Sequence, residues 1–395
     1  TKQLILGLFE SSYALRDHFF TLLLFIVRTS ANNEAAKSIV KAVINKESEF
    51  VTDLIDKNKD SPRFRESDGA ARLIALLDII QKEKPLDFYI SEMWIEYLNG
   101  SNDSIPSHFP LSVILHILKS NIQNVKVRFF IDKLLPYIIQ LITDSLSFMS
   151  VEANVEVIPI QQIRNDNPPE SQLHSSVNKS WLAVRQSLNI ITCIINHYFE
   201  EIPKKLVEQI GDTLFRFLIE SRHFSTVYYA HLTFQSLCTR CYIRDDCNKF
   251  PEKWTYLLLK TADSFSSADH KASDGFVQTA TALIHSEPSH LFGSQRVIYH
   301  LLLHFCFSSI DNPTAENQLR SALLLTEAIA KDKPTQVNIE PYESQLLMSV
   351  FTLYTTQMSY EMRCTANHCL TSLLLKHTER GRKNDQKELD NVAHR

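Results

Sequence analysis

Seven glycines in 395 residues is the feature that most narrows what this chain can fold into. Average usage near 7% would give roughly 28. Tight hairpins, phosphate-cradling loops and dinucleotide folds all need residues at positive φ or close backbone approach, and glycine is what supplies them. Leu, Ile, Lys, Glu and Ser are plentiful instead, a composition suited to helices joined by short polar turns.

The apolar pattern agrees. In 180–242, Trp181, Val184, Leu188, Ile191 and Ile195 recur at steps of three and four, then Leu206, Ile210, Leu214, Phe217 and Leu218, then Val227, Phe234, Leu237 and Cys238. Such spacing puts one apolar stripe on each of three helices. A single helix cannot cover its own stripe, so each must stack on neighbours. Similar stretches separated by breakers are expected at 15–28, 34–44, 49–54, 70–81, 90–98, 111–119 and 125–149, the last kinked at Pro136. Beyond residue 242 they recur at 254–265, 271–286, 297–307, 316–330, 344–356 and 361–377. Ser67-Asp68-Gly69 reads as the turn before the 70–81 helix.

Helix pairs recurring about every 40 residues predict an all-α, HEAT/armadillo-like α-solenoid of stacked helix pairs. The expected organisation is helical repeats over 1–149, a polar, breaker-rich loop or linker over 150–179, a second helical-repeat region over 180–377, and a charged flexible tail or loop over 378–395.

With 44% hydrophobic residues, 22% charged and a net charge of −4, the chain can bury a core and is no wholesale nucleic-acid coat. The most apolar run, 19–27, is interrupted by Thr21 and followed by Arg28, so no membrane span is expected. The chain opens on Thr within a helical pattern and without a secretory leader, as a piece of a longer chain would. Seven irregularly spaced cysteines point to reduced thiols and a cytoplasmic setting. Cys238 and Cys241 form one CxxC, half of a zinc site, yet Cys238 also fits the apolar stripe of its helix. Walker, GxGxxG, HExxH and GxSxG motifs are absent, so no enzyme is expected.

Several stretches then line up in order. Ser180-Trp181-Leu182-Ala183-Val184-Arg185 opens the central region. Ile210-Gly211-Asp212 is followed by Ser221-Arg222-His223, with Phe224-Ser225 where an Arg-Gly pair would stand. Lys271-Ala272-Ser273-Asp274-Gly275-Phe276-Val277 leads a helix ending in Ser286-Glu287-Pro288. Gln318-Leu319-Arg320-Ser321-Ala322 and Tyr360-Glu361-Met362-Arg363 complete the set. Together they resemble the central region of the thyroid-adenoma-associated protein family, THADA, with its fungal tRNA-methylation subunits. Ala272 and Val277 stand where that pattern has Arg and Pro.

The resemblance implies a non-catalytic subunit that binds an FTSJ-type tRNA methyltransferase and directs ribose 2′-O-methylation in the tRNA anticodon stem-loop. It implies no cofactor of the chain's own, since S-adenosylmethionine would belong to the partner. An animal branch implies the alternative of a protein-only adaptor, for example of a sarco/endoplasmic reticulum calcium pump. The candidate RNA- or partner-binding residues are Lys271, Ser273, Gly275, Arg185, Arg222, His223 and Arg363. Lys271, Ser273 and Gly275 suit either a phosphate site at a helix start or an ordinary N-terminal cap. The Arg/His set suits either a basic stripe along one face or inter-helix bridging.

Overall fold

The computed structural model describes residues 2–31, 48–59, 61, 63–81, 108–120, 130–149, 175–262, 270–288, 291, 295–313, 316–331, 343–356 and 359–393. The helices expected at 34–44 and 90–98, and residues 150–174 of the expected linker, lie outside them. Every regular element among the described residues is helical. The chain divides into two compact units, one comprising 1–203 with 222–229 and the other 204–221 with 230–395.

The first unit contains α1 (Lys2–Leu6), α2 (Tyr13–Ala31), α3 (Ser48–Asn58), α4 (Phe64–Gln81), α5 (His108–Ser120), α6 (Leu135–Met149) and α7 (Ser175–Tyr198). α3 packs on α4, α4 on α5, α5 on α7 and α7 on α6. The core at the α1–α5 end joins Ile5, Leu8, Phe20, Leu24, Val51, Leu73, Leu76, Val113 and Ile117. The kink expected at Pro136 is a π-helical turn at Phe130–Leu134 running into α6. Pro136 is the second residue of α6, directly after that turn, and cannot donate a backbone bond back into it, which fits a local departure from α-helical geometry.

α4 begins six residues earlier than the sequence pattern suggests, so Ser67, Asp68 and Gly69 lie inside it rather than in a turn. The reason is that Asp68 is no cap; it is fully buried and organises charge. Its Oδ2 accepts from Arg16 Nε at 3.1 Å and Arg72 Nε at 3.0 Å, and its Oδ1 accepts from His116 Nε2 at 2.8 Å. Arg72 Nη1 reaches Asp17 at 3.0 Å, and Arg16 Nη1 donates to the carbonyls of Glu10 and Ser11. Tyr13 offers its ring to both guanidiniums, at 5.5 Å from Arg16 and 5.2 Å from Arg72. The neighbouring Gly69 admits the carbonyl of Leu8, which a Cβ would meet at 2.7 Å. One carboxylate thereby ties α2, α4 and α5 together. Burial by itself would raise the pKa of Asp68, but Arg72, His116 and Arg16 outweigh it and hold the carboxyl far below the usual range.

The second unit contains α8 (Lys204–Glu220), most of α9 (Phe224–Cys241), α10 (Phe250–Ala262), α11 (His270–Ser286), α12 (Val297–Asp311), α13 (Glu316–Lys331), α14 (Glu343–Thr355) and α15 (Tyr360–Ala393). Here the stack has two rows. α10, α12 and α14 pack on one another in turn, and α8, α11, α13 and α15 do the same. The hairpins α10/α11, α12/α13 and α14/α15 join the rows. This is the α-solenoid the periodicity predicts.

The segment from 378, expected as a flexible tail, instead continues α15 through Ala393. It has no apolar stripe, but its Arg, Lys, Gln and Glu are good helix formers. Near its start Lys376 is buried and donates from Nζ to the carbonyl of Ile329 at 3.1 Å, a cation on the last turn of α13. No helix among the described residues is long and apolar enough to cross a membrane.

Asp68→Ala would leave Arg16 buried without its counter-charge and Arg72 with Asp17 alone, and urea unfolding of that variant is expected to show a loss of about 3–5 kcal/mol. The histidines give a second expectation. Burial pushes His116 and His108 down to about 4, so both stay neutral in the fold. The unfolded chain takes up protons below its ordinary histidine pKa of 6.5 while the folded chain does not. Stability therefore declines as pH falls from about 6.5 towards 4. Asp68 adds a further loss only below about 3.8, its unfolded value. His116→Gln keeps a donor for Asp68 and is expected to flatten the slope of unfolding midpoint against pH between pH 6.5 and 4.

Candidate functional site

In the first unit the fold brings three of the candidates together. Arg185 is 7% exposed on α7, and its guanidinium faces three rings, Phe64 at 4.7 Å, Tyr229 at 4.9 Å and Trp181 at 5.8 Å. Trp181 lies one turn earlier on α7, close enough for its side chain to reach the same spot. Its indole stacks on His223, with ring centroids 5.8 Å apart and planes at 23°. Tyr228 meets Tyr229 edge to face at 5.6 Å. The result is a continuous series, Tyr228, Tyr229, Arg185, Trp181, His223, in which a cation is held between π faces. Arg185 therefore sits in an aromatic cage and is not presented at the surface.

His223 closes the start of α9. Its Nδ1 accepts from the Thr226 N–H at 3.4 Å, and its carbonyl accepts from Thr226 Oγ1 at 2.8 Å. Burial lowers its pKa to about 4, so the ring is neutral at physiological pH. The Arg222 N–H donates to the carbonyl of Met149 at 2.8 Å, fastening this turn to the end of α6.

In the second unit the candidates are set apart along the stack. Lys271 and Ser273 occupy the first turn of α11. Gly275 is buried where α11 crosses the end of α8, and a methyl there would overlap the carbonyl of Leu218. That contact accounts for the glycine by helix–helix approach. Arg363 is exposed on the first turn of α15, and its backbone N–H donates to the carbonyl of Ser359. Next to it Glu361 pairs with Arg320 of α13, and Ser359 Oγ donates to Glu316 at 3.0 Å.

The other singled-out motifs serve the same packing. A methyl at Gly211 would overlap the Trp254 ring, and Asp212 Oδ1 accepts from the Trp254 indole N–H at 2.8 Å. Lys253 donates to Glu208 at 2.7 Å and Asp212 at 3.3 Å. Glu287, from Ser286-Glu287-Pro288, accepts the N–H groups of Ile298 at 3.0 Å and Tyr299 at 3.2 Å, capping α12 from the preceding helix. Burial raises the Glu287 pKa against the opposing pull of Arg296 and those two N–H groups.

The CxxC cysteines are free, buried thiols, as is Cys247, whose pKa burial pushes up to about 11. His231 near them donates to the carbonyl of Gln278 at 2.8 Å. Among the described residues no group of three or more His, Cys, Asp or Glu could hold a metal ion. Sequence reasoning missed the aromatic members of the first-unit series, Phe64, Tyr228 and Tyr229. The Tyr228–Tyr229 pair was visible, but nothing in its spacing tells that Arg185 lies behind it.

Stacked helix pairs, locked by polar staples at the helix crossings, define an α-solenoid protein. Residues 131–353 match the family model described as THADA/TRM732, DUF2428, and the chain belongs to that family. No curated protein matches it.

Gly275→Ala and Gly211→Ala each force a methyl into an occupied crossing, and each is expected to lower the thermal unfolding midpoint with a cost of about 1–3 kcal/mol. Arg363→Ala, at an exposed site, is expected to stay within about 0.5 kcal/mol of the parent in the same melt.

Proposed function

We propose that the chain is a non-catalytic scaffold subunit that binds an FTSJ-type methyltransferase and directs ribose 2′-O-methylation of the tRNA anticodon loop in the cytoplasm. The observation that carries this reading is the family match across 131–353. The packing supports it, because a solenoid offers a long surface on which two macromolecules can be held in register. Holding enzyme and stem-loop together lowers the entropic cost of their encounter. S-adenosylmethionine and the bond-making step belong to the partner. Among the proposed contact residues, Arg363 on α15 is the exposed one whose side chain is described, and Lys271 and Ser273 at the start of α11 are assigned to the same task.

The test is reconstitution. The methyltransferase is assayed for 2′-O-methylation of tRNA with and without the chain, after co-purification. We expect a stable complex and a rise in anticodon-loop methylation of at least about tenfold, equal to about 1.4 kcal/mol of barrier. Affinity of the complex for tRNA should fall steeply with salt, as phosphate contacts release counterions. A chain that neither binds the enzyme nor changes methylation overturns the proposal. Binding to protein partners with tRNA affinity absent would favour the protein-only adaptor.

A further inference from the structure

Two buried polar side chains on α13 are answered by no protein group. Asn317 is 2% exposed and Ser321 is 0% exposed. Neither amide atom of Asn317 has a hydrogen-bond partner in the protein, and neither has the hydroxyl of Ser321. The Nε of Arg320, between them, is buried and unpartnered as well. The serine is the telling member. Thr255, Thr279 and Thr326, also buried in this unit, each donate to the carbonyl four residues back in their own helix, those of Pro251, Gly275 and Ala322. Ser321 makes no such bond to the carbonyl of Asn317, so its hydroxyl is not spent on its own helix.

Asn317 and Ser321 are one turn apart and share a face of α13. Glu316 and Arg320 are turned to α15, where they meet Ser359 and Glu361. Thr326, bonded to Cys306 of α12, comes nine residues after Asn317, about two and a half turns on, and lies on the opposite side. α13 packs chiefly on α11, α12 and α15, so α11 is the neighbour left for the Asn317–Ser321 face.

The chemistry of the set says what it holds. Native interiors pair buried polar groups with protein or with ordered water, because an unanswered one is costly. An amide both donates and accepts, which neither a metal ion nor a simple anion can answer in full. The guanidinium of Arg320 is already balanced by Glu361. Enclosure this complete admits only a very small molecule. We infer that a buried water molecule bridges Asn317 and Ser321 where α13 crosses α11, with the Arg320 Nε–H a further donor on the same turn. An internal water takes two to four polar partners, and these three residues supply them. The water does at this crossing what Glu287 and Asp212 do at theirs. It is independent of the RNA-directed reading above and concerns how α13 is seated on its neighbour.

The test uses the whole chain. A crystal structure that resolves solvent is expected to show one water within hydrogen-bond distance, about 2.7–3.2 Å, of an amide atom of Asn317 and of Ser321 Oγ. Thermal melts supply a second arm, because the sign of the effect differs. Removing a hydroxyl that nothing answers relieves a cost and raises the midpoint, and the better helix propensity of alanine acts the same way. Removing one that holds a water strands the amide, so Ser321→Ala is expected to lower the midpoint by about 2–4 °C. Asn317→Leu, close in volume, is expected to lower it similarly. The Asn317→Leu/Ser321→Ala pair should fall by less than the sum of the two, since the apolar face it leaves has no use for the water. Density for an ion at the site, Asn317 and Ser321 bonded to protein groups instead, or a midpoint unchanged or raised by Ser321→Ala overturns the inference, and each leaves the proposed function standing.

Discussion

The stacked helices among the described residues carry apolar stripes that their neighbours cover, and the glycine shortage leaves few other ways to satisfy the backbone. Once Leu214, Phe217 and Leu218 of α8 are turned inward, α11 must lie against them, and Gly275 sets how closely it does so. The same demand repeats from α11 to α13 and from α13 to α15. Burial of a leucine or phenylalanine side chain is worth roughly 1.5–3 kcal/mol, so a row of such crossings outweighs the cost of ordering the helices only when the stripes remain in register.

Register is what the polar residues supply. Glu287 accepts two N–H groups from the next helix, Asp212 holds the Trp254 indole, and Lys376 meets the last turn of α13. In the first unit Asp68 does this for three helices at once. Such bonds add modest net stability, but a misregistered stack would leave the same groups buried without partners. The family-like motifs that look like ligand sites in one dimension are in large part these staples. Gly211, Asp212, Gly275 and Glu287 each have a packing reason, whereas Arg363 is exposed.

Periodicity made the helices readable, because a stripe at steps of three and four is a direct record of burial. Stretches such as 316–330 and 271–286 match the observed α13 and α11 closely. It misled where a polar residue was buried for a long-range reason. Ser67-Asp68-Gly69 has turn chemistry, and Arg16 and His116, 52 and 48 residues away, reveal why Asp68 belongs inside a helix. It misled again at 378–393, where a helix persists without an apolar face. Arg185 was picked out as basic, but its cage depends on Phe64 and Tyr229, brought from other elements.

The central claim is the proposed one, that the chain holds a tRNA anticodon stem-loop for a methyltransferase while most of its motif residues hold helix to helix. Photo-crosslinking tests it most directly, using a tRNA anticodon stem-loop carrying 4-thiouridine in the loop and mass-spectrometric mapping of the crosslinked peptides in the complex with the methyltransferase. The account predicts crosslinks to this chain, in the peptides containing Lys271 or Arg363. Crosslinks confined to the methyltransferase would contradict it.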